Sequence, residues 1–472
     1  MPVIPHCPNL FEDYQTLYQF LVELQKNLLK TKPDTIVSIS LEIQPVDPLA
    51  VLQAFAEPNQ LIFYLEKASQ SQAVAAVGSA LHLTVEGEQR FSRAQDFIRS
   101  CLAHTMATGP LHLPFAGPHF FCSFTFFEQN RPEGSTFPPA TVFLPRWQVA
   151  RRNNRCVLVA NFRINSEVNI SLLSGSLWKK IGRVNAAIPN LFKAGNSPDK
   201  IIKKSGNSPD KFEVAVRSAL NSIQANQYKK IVLARAIDVT SQKPFHIFHS
   251  LNQLRKIHPD CYIFATGNGK GQTFIGASPE RLVSLHERHL TTDALAGSAP
   301  RGKTPAEDAD LAQALLNSEK DRHEHQVVID FIVERLSHLG LAPQLSSPAR
   351  LLQLANIQHL WTPIHARVPA EISLLDIVGE LHPTPAVAGV PRDIACQEIR
   401  RYETFDRSVY AAPLGWLDHQ GNGEFIVGIR SAIIDGCHAR LFAGAGIVAG
   451  SAPEKELAEI QLKLQALLKA LV

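Results

Sequence analysis

Residues 413–448 read PLGWLDHQGNGEFIVGIRSAIIDGCHARLFAGAGIV. Three apolar runs stand here, separated by Gly421-Asn422-Gly423 and Asp435-Gly436. Asn-Gly and Asp-Gly reverse a chain within two residues, because both tolerate positive φ, so the runs predict a meander of antiparallel strands. The end of the stretch, Gly444-Ala445-Gly446, has the G-x-G of a dinucleotide fingerprint. That motif needs a helix, then a parallel strand with an acidic residue about 20 positions on, whereas here one helical pattern at 454–471 takes up the remaining chain. Two readings of the glycines stay open: close approach of backbone N–H groups to an anion such as a carboxylate, or a tight strand exit.

Working outward, the chain from 228 onward is strand-dense and is flanked by long helical patterns at about 306–339 and 454–471, which predicts mixed α/β layers instead of a Rossmann sheet. In the first half, Val37, Ile39, Leu41 and Ile43 alternate with Ser38, Ser40 and Glu42, the pattern of a half-buried strand. Phe120, Cys122, Phe124 and Phe126 repeat the period of two, 156–162 reads as a fully buried strand, and 10–29 is the clearest helix. Gly-Asn-Ser-Pro-Asp-Lys occurs at 195–200 and again at 206–211. Two polar copies cannot bury a solenoid core, so 193–211 is expected to be a surface linker or insertion between 1–192 and 212–472. Ser208-Pro209-Asp210 is also a helix start, with Phe212, Val216, Leu220 and Ile223 as its apolar stripe.

Composition bounds the function. Of 472 residues, 45% are hydrophobic and 19% charged, enough to bury a sizeable core. Lys+Arg minus Asp+Glu is 47 − 43 = +4, too small for a nucleic-acid surface or a polybasic anchor. No run reaches the roughly 18 apolar residues of a membrane helix, and seven scattered cysteines without C-x-x-C argue against a disulfide frame or zinc knuckle. A cytoplasmic protein with no nucleic-acid or membrane partner is expected.

Four places carry candidate chemistry. Glu324 is in register with Val327, Val328 and Phe331, and a carboxylate on a buried stripe needs a cation, a metal ion or a proton. His323-Glu324-His325 lacks the paired histidines of a zinc site, so a hard, oxygen-ligated ion such as Mg²⁺ is favoured over zinc. Lys230 heads a strand face with Val232 and Ala234, either snorkelling at an edge or serving as a base. Pro279 fixes where Glu280 points, at a mere strand terminus or as a placed acid. Glu456, Glu459 and Lys463 share a face of the last helix beside the stripe of Ile460, Leu464, Leu467 and Leu471, and the plain reading is a solvated flank.

Taken together, KIVLAR (230–235), GASPERL (276–282), ALAGSA (294–299), SEKDRHEH (318–325), LHPTPAVAG (381–389), FDR (405–407) and LFAGAGIV (441–448) stand in the order seen in chorismate-utilising enzymes, and the chain most resembles isochorismate synthase. The match is dense over 212–472, the chorismate-binding core, and thin over 1–192. The resemblance implies one large structural domain of α+β type, with two facing antiparallel sheets and helices outside. It implies Mg²⁺-dependent conversion of chorismate to isochorismate, with no glutaminase subunit. It makes Lys230 the base that activates water at ring C2 and Glu280 the acid that protonates the departing C4 hydroxyl. Glu324 and Glu459, with Glu456 nearby, would hold Mg²⁺. Arg430 and Lys463 would grip carboxylates beside the Gly444 and Gly446 backbone, Arg430 sharing a strand face with Ile426, Gly428 and Ala432. His382, Ala386 and Tyr410 would line the ring pocket. Lys230 together with Ala296 favours water over ammonia as nucleophile. Ala386, where salicylate-forming relatives tend to carry threonine, disfavours a salicylate synthase. A silent chorismate-binding protein is the remaining alternative.

Overall fold

The computed structural model describes residues 1, 13–31, 35–131, 136–186, 201–206, 209–346, 348–354 and 357–471. The 413–448 segment forms four strands where three runs were expected: Pro413–Asp418, Gly423–Val427, Ser431–Asp435 and His438–Val448. They make two hairpins, first with second and third with fourth. The two middle strands pair elsewhere, Gly423–Val427 with Arg281–His286 and Ser431–Asp435 with Gln272–Ser278. The turn between them at 428–430 lacks an Asn-Gly or Asp-Gly signal, which is why its reversal was not legible.

This switch divides the strands into two wings. One runs from Lys230–Ser241 through His438–Val448, Ser431–Asp435, Gln272–Ser278, Tyr262–Asn268, Leu61–Lys67 and Gln72–Val85 to Ala140–Arg152. The other leaves the first half of Ala140–Arg152 and passes through His119–Phe124, Pro413–Asp418, Gly423–Val427, Arg281–His286 and His289–Pro300 to Ile357–Arg367. The expected pair of sheets is thus one hydrogen-bonded network with two wings joined at Ala140–Arg152. Among the described residues its pairing is antiparallel save for Thr35–Ile43 against Thr105–Thr108. Strands from both sides of residue 212 intermix, as in Leu61–Lys67 beside Tyr262–Asn268. One hydrophobic cluster draws Ile231 and Leu233 from the first wing and Leu282, Val283 and Ala294 from the second.

Two short connections pass directly from a strand of one wing to a strand of the other, at Ser278–Arg281 and at Val427–Ser431. The crossings lie side by side: Ala277 N–H donates to Arg430 O (3.1 Å), Ser278 Oγ to Val427 O (2.6 Å) and Val427 N–H to Glu280 O (3.1 Å). Glu280 and Arg430 therefore sit together where the sheets part.

Three further expectations are corrected. The 306–339 helix is two, Pro305–Asn317 and Glu319–His338, because Ser318 ends the first and caps the second, its hydroxyl accepting from Asp321 N–H. Thr35–Ile43 is buried on both faces along most of its length: Val37 and Ile39 pack under helices Tyr14–Thr31 and Ile170–Ala186, and Ser40 Oγ on the opposite face accepts from Gly117 N–H. The first repeat copy, 195–200, lies outside the described residues, but Ile201–Gly206 just after it forms an edge strand on Lys230–Ser241. Helix Pro209–Gln224 then begins as expected, burying Phe212, Val216 and Ile223. Among the described residues, no helix is long and apolar enough to cross a membrane.

Candidate active site

Lys230 opens its strand between Val448 on one neighbour and Val390 on the other, so its side chain starts in the interior. It is 2% exposed, and its Nζ donates to Glu324 Oε1 at 2.7 Å. Helix Glu319–His338, packed on strand His289–Pro300, delivers that carboxylate. The partner demanded by the buried-stripe position of Glu324 is thus, in this structure, the lysine ammonium. Burial pushes the Glu324 carboxyl up, but Lys230 outweighs it and the net shift is downward. Among the described residues, Glu280 has no such hydrogen-bonded cation. Burial pushes its carboxyl up to about 7, against the opposing pull of Lys230. The two carboxyls of one cavity are therefore shifted in opposite directions, a recurring arrangement where acid and base roles are divided.

The cavity encloses about 200 Å³ and is lined by Lys230, Glu280, Glu324, Ala386, Tyr410, Arg430, Gly444, Gly446, Glu456, Glu459 and Lys463, among others. The glycines are required by space. A Cβ on Gly446 would stand 3.1 Å from Glu324 Oε1 and 3.2 Å from Lys230 Cε, and one on Gly444 would stand 2.8 Å from the Tyr410 hydroxyl oxygen. Both lie within a paired strand, so neither open reading of the G-x-G describes it fully. Lys463 Nζ donates to Gly444 O (3.0 Å) and pairs with Glu459 at 2.7 Å. The Glu456–Glu459–Lys463 face, read as a solvated flank, instead forms a cavity wall, with Glu456 only 8% exposed.

Two placements differ from expectation. Arg430 is not on a strand face: it sits in the second crossing with φ 51°. Its guanidinium Nη2 donates to His359 Nε2 at 3.3 Å. His382 is not among the lining residues. It is buried against Phe91 and Phe126, its Nε2 meeting Phe126 O at 3.0 Å. Burial, with Arg90 next, lowers its pKa to about 3, so the ring is neutral and donates that bond.

Sequence reading missed His359, Ser298, Lys320 and Asp321, which also line the cavity. His359 is opposite Ser298 in the register, with Nδ1 2.8 Å from Ser298 Oγ. Burial and then Arg430 lower its pKa to about 3. A neutral ring accepting from Arg430 at Nε2 carries its proton on Nδ1. The pairing follows a register shift at Gly297, φ 75°, which no local pattern announces.

Beneath the cavity, Phe405-Asp406-Arg407 acquires a role. Arg407 donates to Glu403 at 2.6 and 2.8 Å, to Val232 O at 2.7 Å and to Val387 O at 2.8 Å. Glu403 accepts from Ala234 N–H at 2.8 Å. This buried clamp ties the strand of Lys230 to the segment carrying Ala386 and Val387, both cavity residues.

The family model for the chorismate binding enzymes matches residues 22–472. The salicylate biosynthesis isochorismate synthase of Pseudomonas aeruginosa is 37% identical over 92% of this chain and 90% of its own length. Among solved structures, the menaquinone-specific isochorismate synthase MenF from Escherichia coli superposes with a TM-score of 0.77 at 26% identity, covering 98% of this chain and 100% of its own. Anthranilate synthase component I from Streptococcus pneumoniae shares the fold, with a TM-score of 0.69 at 21% identity over 84% of this chain and 92% of its own. With this match spanning nearly its whole length, the chain belongs to the chorismate-binding enzymes, as an isochorismate synthase.

Proposed function

We propose that the enzyme isomerises chorismate to isochorismate by adding water at ring C2 and expelling the C4 hydroxyl, with Lys230 as general base and Glu280 as general acid. The observation that carries this reading is the single cavity where a carboxyl raised to about 7 and a lysine–carboxylate pair face one another. A carboxyl with that value is protonated in about half of the molecules at neutral pH and can deliver the proton to a leaving hydroxyl. To act as the base Lys230 must be the neutral amine, which can still donate an N–H to Glu324 while its lone pair takes the proton of the attacking water. Arg430 and Lys463 hold substrate carboxylates, Ala386 and Tyr410 border the ring, and Gly444 and Gly446 leave it room.

The donor set fits a hard divalent cation such as Mg²⁺. Glu324, Glu456 and Glu459 are carboxylates on one cavity, and Glu456 is pushed up by burial and, against its Ser451 hydrogen bond, by the charges of Glu459 and Glu324. Among the described residues no three such groups are gathered closely enough to hold a metal, because Glu324 is on Lys230 and Glu459 on Lys463. Holding the ion requires those side chains to leave their lysines. When bound, it supplies electron withdrawal through the ring carboxylate.

Chromatographic separation followed by mass spectrometry of the products from purified protein, chorismate and Mg²⁺ without ammonium tests the assignment, since the two isomers share one mass. Isochorismate is expected, and isochorismate supplied alone should regenerate chorismate. Stoichiometric pyruvate release, or consumption that depends on ammonia, would overturn it.

A further inference from the structure

A second and larger cavity, of about 360 Å³, adjoins the catalytic one. Ser298, Arg430, Glu459 and Lys463 line both, so they form a shared wall. Most of the remaining lining is apolar, including Leu254, Ala277, Pro300 and Ile357. The last helix contributes Ala458, Leu462 and Ala466, a row at i, i+4 and i+8 separate from its buried stripe of Ile460 and Leu464. Leu462 is 66% exposed, which is unusual for a leucine, and it borders this opening. The volume lies in the range of small-molecule pockets, roughly 300–1,000 Å³, which are typically apolar with few polar anchors.

The anchors here are cationic. Arg430, Lys455 and Lys463 face the cavity with Glu459 as the one carboxylate among the lining residues, and Glu459 is already paired with Lys463. Arg430 meets a neutral histidine and the Cys261 thiol, with no carboxylate at salt-bridge distance among the described residues. An apolar chamber ending at an arginine that, among the described residues, has no carboxylate at salt-bridge distance complements a ligand with an apolar ring and a carboxylate.

We infer that this cavity binds a small arylalkanoate, its ring among Leu254, Ile357, Leu462 and Ala466 and its carboxylate on Arg430. Because Arg430 also faces the catalytic cavity, occupancy withdraws that cation from the substrate and inhibits by competition. The inhibition rests on the proposed reaction; the binding does not.

Calorimetric titration of the full chain with 3-phenylpropanoate tests it without turnover. Saturable binding with Kd at or below about 1 mM is expected, with 3-phenylpropan-1-ol at least about tenfold weaker. In assays the acid should raise KM and leave kcat unchanged. Ala466→Phe, which fills the chamber, and Leu462→Glu, which places a carboxylate at an exposed rim position, should each weaken binding at least about tenfold while chorismate kinetics stay within roughly twofold. Undiminished binding in both variants would place the acid in the catalytic cavity and overturn the proposal. So would equal binding of the alcohol, or no saturable heat. A change of sedimenting mass in Leu462→Glu would show instead that a second copy covers this face. Each of these failures leaves the isomerisation to be judged separately by its products.

Discussion

Two buried ion pairs meet the same strand a few residues apart. At Val232 and Ala234 the Glu403–Arg407 clamp is fully engaged, each partner also bonded to backbone, and Arg407 is 1% exposed. At Lys230 the contact with Glu324 is the one hydrogen bond described for either side chain, and it opens on a cavity. A charge pair whose remaining valences are satisfied by backbone gives rigidity, whereas one left with spare donors and acceptors beside a void is available for chemistry. Composition and burial alone would not separate the two pairs; the bonding partners do.

The sharpest test of that contrast is catalytic. Lys230→Gln cannot act as a base, so kcat should fall about 10²–10⁴-fold, with a stability loss smaller than that of breaking the clamp because Glu324 borders the cavity. Glu280→Gln should lose activity on the same scale, because an amide cannot deliver a proton. Wild-type rates in either variant would remove that residue from the mechanism. Next comes stability. Arg407→Met should lower unfolding free energy by about 3–5 kcal/mol in denaturant titration, since it strands the buried Glu403 charge. A shift under about 1 kcal/mol would mean that the clamp holds nothing and the contrast fails.

The two carboxylates of the cavity should also respond to pH with opposite sign. Between 4.5 and about 7 the folded protein keeps the Glu280 proton that the unfolded chain has released. The native state binds more protons there, so stability attributable to Glu280 falls as pH rises through that window. Glu280→Gln removes this loss and should be the more stable protein at pH 8, by up to roughly 3 kcal/mol. Glu324, lowered on balance by Lys230, stabilises above the ordinary carboxylate range and loses that contribution as pH falls through its folded value. Equal pH slopes for wild type and Glu280→Gln would show that the carboxyl titrates normally. The smallest effect is expected at the edge: deleting 196–206 removes strand Ile201–Gly206, which should cost about 2–4 °C in melting temperature and leave kcat unchanged. A large loss of rate would show that this edge reaches the cavity.

Much of the layout was legible because it is written locally. Asn-Gly and Asp-Gly turns announce hairpins, and the period of two exposed the buried strands, because alternation and turn chemistry act within a few residues. The placement of Arg430 was not legible, since a glycine and an apolar residue before it continue a strand pattern while the backbone leaves the sheet. Ser318 escaped notice because an apolar stripe runs on through a cap. The convergence of Lys230, Glu280, Glu324 and Lys463 came from family resemblance, not periodicity: it depends on pairings such as Lys230 with Val448 that span most of the second half. His359 was hidden by a register shift, and His382 was misplaced because motif membership does not say which way a ring points.

The adjacent crossings bear on how the molecule is made. Three hydrogen bonds tie residues 277–280 to 427–430, and the strand led by Lys230 finds its long partner only at 438–448. Contacts of such sequence separation carry a heavy loop-closure cost and form slowly. Without residues 431–448 the first wing would be cut between Gln272–Ser278 and Lys230–Ser241, and Lys230 would lack its partner strand. Catalytic competence in this fold therefore waits on sequence-distant pairings and not on any local hairpin.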